Sequence, residues 1–156
     1  MALFRIDRKS SLPADEAWRR LTAWERHADV VPLTRITVRT PPPSGEGTVF
    51  VARSGIGPVG FDDAMEVVTW RPAPAADGGG GGGLCRLEKR GSFVTGWAEI
   101  EVSPRAGAGS AVAWREELRV RWLPRIFDGV LVAAARWMFG RAVDELLSSP
   151  PTRSHA

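Results

Sequence analysis

The 156-residue chain has no tyrosine, one cysteine, two histidines and only two lysines. Cys85 cannot form an internal disulfide. With only His27 and His155 beside it, the chain is too poor in soft ligands for a structural zinc site, so no metal is expected. Cys85 also lacks a basic neighbour in sequence, which argues against a thiolate nucleophile. The scarcity of lysine leaves basic charge to arginine: apart from Lys9 and Lys89, all 21 basic residues are Arg, set against 18 acids for a net charge of +3. These charges alternate in sign, as in Arg115, Glu116, Glu117 and Arg119. They do not form the one-signed stripe of a nucleic-acid binder, and no nucleic-acid partner is expected. Long hydrophobic runs are missing too. The longest, residues 126–139, is broken by Asp128 and Arg136 and falls short of the ~20 residues that span a bilayer. Residues 1–8 already hold Arg5, Asp7 and Arg8, which leaves no apolar centre for a secretory signal. The expectation is a cytoplasmic protein without an integral membrane segment.

What is present suits one globular domain: 44% hydrophobic, 25% charged and 8% aromatic residues. A chain of this length buries roughly two thirds of the surface its unfolded form exposes, enough for a core without staples. The domain is placed at residues 1–147, with a disordered tail at 148–156. Residues 3–8 alternate, with Phe4 and Ile6 on one side, as in a half-buried strand. A helix follows, with Pro13 at its first position, Asp15 and Glu16 against the positive end of its dipole, and Ala14, Ala17, Trp18 and Leu21 on one face. A second short helical turn fits residues 23–28.

The period then becomes two. Strands are read at 34–40, 48–54, 61–70, 84–90, 93–103 and 111–121, separated by Pro- and Gly-rich turns, and short links between them imply antiparallel pairing. The glycine run 78–83 lies in a loop expected to be mobile. It lacks the Lys-Ser or Lys-Thr pair and the helix that a phosphate loop requires. From Pro124 the helical period returns. Ile126, Phe127, Val130, Leu131, Ala134, Trp137, Met138, Ala142, Val143, Leu146 and Leu147 make a wide apolar face, stopped by Pro150 and Pro151. Gly129 and Gly140, poor helix formers, suggest close approach to a sheet or ligand. The fold class is therefore α+β.

This order resembles the helix-grip fold of the START-like, or Bet v 1-like, superfamily in its polyketide cyclase/dehydrase branch. The resemblance is carried by the run from Leu12 through Pro13, Ala14, Asp15, Glu16 and Ala17 to Trp18, by the segment from Arg26 to Pro32, and by Ala113, Trp114, Arg115, Glu116 and Glu117 before the last helix. It implies a curved antiparallel sheet of about seven strands wrapped on a long carboxy-terminal helix, with two short helices after the first strand. It further implies a pocket between sheet and helix for a lipid, quinone or aromatic polyketide. The alternative it allows is a cofactor-independent polyketide cyclase or dehydratase. No cofactor is expected.

On the last strand Val112, Trp114, Glu116, Leu118 and Val120 share a face, which makes Glu116 an acid among apolar neighbours. Such a carboxylate finds an arginine, is desolvated into holding its proton, or stands at a wet cavity mouth. Glu116 is thus the one catalytic candidate, as general acid or polar anchor, with an ion pair to an arginine on a neighbouring strand as the preferred alternative. The expected ligand-binding residues are Phe50, Met65, Trp97, Trp114, Glu116, Leu118, Phe127, Leu131, Ala134 and Met138. Trp137 is a further claimant to the cavity. Asp62 and Asp63 read as surface acids near a turn, and His27 as a surface or capping residue. Arg86 and Glu88 read as part of a solvated charge ladder with Glu99 and Glu101.

Overall fold

The structure is a computed structural model that describes residues 2–75 and 81–148. The tail beyond 148 and the centre of the glycine-rich loop lie outside the described residues. The element order is β1 (Ala2–Ser10), α1 (Ala14–Leu21), a short 3-10 turn (Trp24–Arg26), α2 (His27–Val30), β2 (Thr34–Val38), β3 (Val49–Ile56), β4 (Val59–Arg71), β5 (Gly83–Arg90), β6 (Val94–Pro104), β7 (Ser110–Val120), a 3-10 turn (Arg125–Phe127) and α3 (Asp128–Ser148). The strands form one curved antiparallel sheet in the order β1-β7-β6-β5-β4-β3-β2. Pairing follows chain order except for β1, which closes on β7 with Phe4 opposite Glu116 and Ile6 opposite Trp114.

Strict alternation sends one face of each strand inward. Phe4 and Ile6 of β1, Ile100 and Val102 of β6, and Val112 and Trp114 of β7 are buried, while their neighbours in sequence are more open. Each such side chain removed from water contributes on the order of 1.5–3 kcal/mol. One glycine is required by the backbone. Gly96 of β6 has φ +134° and lies in register between Lys89 of β5 and Leu118 of β7. A Cβ there would stand 2.0 Å from the Glu117 carbonyl oxygen, so any other residue would push the strands apart.

α3, 21 residues long, runs about 31 Å at 1.5 Å per residue. Its buried stripe is Ala135, Gly140, Ala142, Val143 and Leu146, with Leu131 and Phe139 half-buried against the core. This is narrower than the apolar face read from the sequence. Ile126 is 84% exposed, Val130 69% and Trp137 63%, because the sheet covers only one side of the amino-terminal half of the helix. Arg8 of β1 and Asp144 of α3 join at 2.6 Å, and Gly140 lies under the Arg8 guanidinium, where a Cβ would meet it at 3.1 Å. Gly129 has nothing within 4 Å and serves no such contact. Pro13 precedes the first turn of α1 rather than occupying it, and its carbonyl accepts from the Ala17 amide at 3.0 Å.

Candidate functional site

Between the concave face of the sheet and α3 lies a cavity of about 270 Å³. Phe50, Met65, Leu87, Ala98, Trp114 and Leu118 come from five strands to form its sheet wall. Leu131, Ala134, Ala135, Met138 and Phe139 of α3 form the opposite wall, and Trp24 and His27 one end. Aromatic rings dominate. Trp24 stacks on Phe50 with centroids 4.7 Å apart, and Trp114 stacks on Phe139 at 5.6 Å.

Three charged side chains interrupt this apolar lining. Asp63 of β4, Lys89 of β5 and Glu116 of β7 all point inward because each occupies an inward position in its strand's alternation. Lys89 Nζ lies 2.7 Å from Asp63 Oδ2 and 3.1 Å from Glu116 Oε1. The Trp114 indole N–H donates to Glu116 Oε2 at 3.0 Å. The side chains of Lys89 and Glu116 keep 4% and 2% of their exposure, and Asp63 11%. Burial by itself would lower the pKa of Lys89. The carboxylates of Glu116 and then Asp63 outweigh it, so the ammonium holds its proton above the ordinary lysine range.

His27 is buried, with Nε2 2.8 Å from the Leu21 carbonyl oxygen. A carbonyl only accepts, so Nε2 carries the proton and donates it, and the tautomer follows from that bond. Desolvation pushes the His27 pKa down, against the smaller raising effect of the Leu21 bond, which keeps the ring neutral. Cys85, also buried, has its thiol pushed up to about 12 by desolvation and is inert as a nucleophile. No group of three or more metal-ligating side chains occurs among the described residues. No helix among them is long and apolar enough to cross a membrane.

No protein-family model and no curated protein matches the sequence. Solved structures do match in shape. A START superfamily protein from Mycobacterium smegmatis superposes with a TM-score of 0.70 at 9% identity, covering 94% of this chain and 97% of that one. Truncated norcoclaurine synthase from Thalictrum flavum gives 0.61 at 14%, covering 95% and 94%. The di-domain ARO/CYC BexL from the BE-7585A biosynthetic pathway gives 0.61 at 14%, covering 96% of this chain and 48% of that one. The chain has the START-like helix-grip fold.

Within this helix-grip frame, Phe50, Met65, Trp114, Glu116, Leu118, Leu131, Ala134 and Met138 all line the cavity. Trp97 and Phe127, expected with them, do not. Trp97 is on the outer face of β6, where its indole N–H donates to Glu117 Oε2 at 3.1 Å and the Arg86 guanidinium stacks 4.3 Å above its ring. Phe127 belongs to the 3-10 turn before α3 and is 45% exposed. Trp137 also faces outward. Arg86 does join the expected ladder, pairing with Glu99 at 3.3 Å.

The sequence reading differs for two residues and for the partner of Glu116. Asp63 is buried in the cavity wall, not on the surface, and His27 is buried at the cavity end. Lys89, not an arginine, is the partner of Glu116. Alternation held the clue for two of them: Lys89 shares a face with Cys85 and Leu87, and Asp63 with Met65 and Val67.

Proposed function

We propose that this protein binds or carries a small hydrophobic ligand in the cavity between sheet and α3, and that it works in the cytoplasm. The observation that carries this reading is the cavity itself, apolar over most of its wall with a few convergent polar groups, the usual composition of a small-molecule site. Its volume, about 270 Å³, falls just below the roughly 300–1,000 Å³ of sites for drug-sized molecules. That volume and the rings of Trp24, Phe50, Trp114 and Phe139 favour a compact ring-containing ligand over a long-chain lipid. The residues proposed to meet it are Phe50, Met65, Trp114, Leu118, Leu131, Ala134 and Met138, with Glu116 at the polar end. The test is titration with the neutral fluorescent probe N-phenyl-1-naphthylamine. Saturable binding should be lost in Ala98→Phe, whose ring would occupy the cavity. Equal binding by that variant would put the probe on an outer surface and overturn the reading.

A second reading, a cofactor-independent polyketide cyclase or dehydratase, draws support from the meeting of Asp63, Lys89 and Glu116 beside an apolar space, since convergent titratable groups are what acid–base chemistry needs. Water loss or ring closure from a poly-β-ketone thioester, followed by mass spectrometry and abolished in Glu116→Gln, would favour it over simple binding.

A further inference from the structure

At the polar end of the cavity one carboxyl oxygen has no donor. Asp63 and Glu116 together present four carboxyl oxygens. Lys89 takes Asp63 Oδ2 and Glu116 Oε1, and the Trp114 indole N–H takes Glu116 Oε2. The fourth, Asp63 Oδ1, is buried with no hydrogen-bond partner. No protein donor serves it, although one donor of the cavity lining, the Trp24 indole N–H, is likewise buried without a partner. The third Lys89 N–H has only the Met65 sulfur, 3.9 Å away, and the His27 Nε2 proton is committed to the Leu21 carbonyl. A buried acceptor left unpaired is costly, and two carboxyl groups here share one ammonium. Of the three charged side chains, Asp63 is the most accessible. Its carboxyl group turns about a soft terminal torsion, so either oxygen can be offered to a ligand.

We infer that the ligand of this cavity carries an O–H or N–H donor, as an alcohol, phenol or amine, which Asp63 accepts, and that the site discriminates against carboxylate-bearing molecules. The inference rests on the binding reading above and adds the chemistry of the ligand's polar end. A carboxylate would bring another anion and more acceptors to a group whose single cation is already shared. A ketone would bring only an acceptor, which the Trp24 indole N–H could meet, and would leave Asp63 Oδ1 unpaired. An ammonium would supply both donors and the missing charge.

The experiment is calorimetric titration of the full chain with five molecules that share one ring system: 2-methylnaphthalene, 2-naphthalenemethanol, 2-naphthalenemethylamine, 2-acetonaphthone and 2-naphthoate. The alcohol and the amine should each bind about tenfold or more tighter than the ketone and the carboxylate, the yield of one hydrogen bond to a charged group. In Asp63→Asn, checked for folding by its thermal melt, that preference should collapse. If the variant does not fold, the wild-type ranking decides alone. Binding of 2-naphthoate or 2-acetonaphthone as tightly as the alcohol, or an unchanged ranking in a folded Asp63→Asn, overturns the inference. If 2-methylnaphthalene binds as tightly as the alcohol, the cavity reading stands and the donor requirement fails. If none of the five binds, both fail.

Discussion

Lys89→Met removes the one cation from the buried cluster while nearly preserving the length of the side chain. Lys89 Nζ contacts Asp63 Oδ2 at 2.7 Å and Glu116 Oε1 at 3.1 Å, so the variant leaves two desolvated carboxyl groups facing each other. Removing one partner of a buried pair costs about 3–5 kcal/mol, because the remaining charge is uncompensated. Here two carboxyl groups are stranded, which puts the expectation at the upper end. At about 2–4 °C per kcal/mol for a chain of this size, the melting temperature should fall by roughly 6–20 °C. Urea unfolding followed by tryptophan fluorescence at neutral pH reads the loss directly. The triple variant Asp63→Asn, Lys89→Met, Glu116→Gln should recover most of it, because neutral groups of similar shape replace a buried ion cluster at little net cost. A loss below about 1 kcal/mol for Lys89→Met would refute the cluster as a buried ion network. A triple variant no more stable than the single one would mean that packing, not charge, is lost.

Four further outcomes follow from the same geometry. Glu116→Gln should cost only about 1–3 kcal/mol by urea unfolding, because Lys89 keeps Asp63 and the amide still offers one acceptor. His27, whose ordinary value is 6.5, is depressed in the folded state. The unfolded chain takes up its proton first, so the stability tied to the neutral ring is present above that value and lost as pH falls through it toward the folded one. The slope is at most about 1.4 kcal/mol per pH unit and should be absent in His27→Gln. Lys89 has the opposite sign: its folded value is raised above 10.5, so its stabilisation is intact below that pH and lost as pH rises through the folded value, a loss that urea melts should miss in Lys89→Met. Cys85 should resist iodoacetamide in the native state and react once urea unfolds the chain, with alkylation read by mass spectrometry.

Much of the architecture is legible in the sequence because each strand buries one face against one core. Alternation placed Trp114, Glu116 and Leu118 of β7 inward, and the turn residues separated seven strands at nearly the observed bounds. The helix face was overread because a 3.6-residue period marks which side is apolar without saying how much of it is covered, and Ile126, Val130 and Trp137 lie beyond the reach of the sheet. The site was half legible. Asp63 reads as a surface acid near a turn although its alternation with Met65 and Val67 puts it inside, and Lys89 drew no placement although it shares a face with Cys85 and Leu87. Their meeting with Glu116 depends on the successive pairings from β4 through β5 and β6 to β7 and cannot be read from any one strand. Trp97, expected among the cavity residues, lies on the outer face of β6, where the register pairs it with Glu117.

Intermolecular nuclear Overhauser effects test the cavity as a ligand site most directly. With 2-naphthalenemethanol added to protein carrying labelled methyl groups on Met, Leu and Val, cross-peaks should arise from Met65, Leu87, Leu118, Leu131 and Met138, which surround the cavity. Cross-peaks confined to the exposed methyls of Leu33, Val59 and Val130, with none from those inner residues, would contradict it.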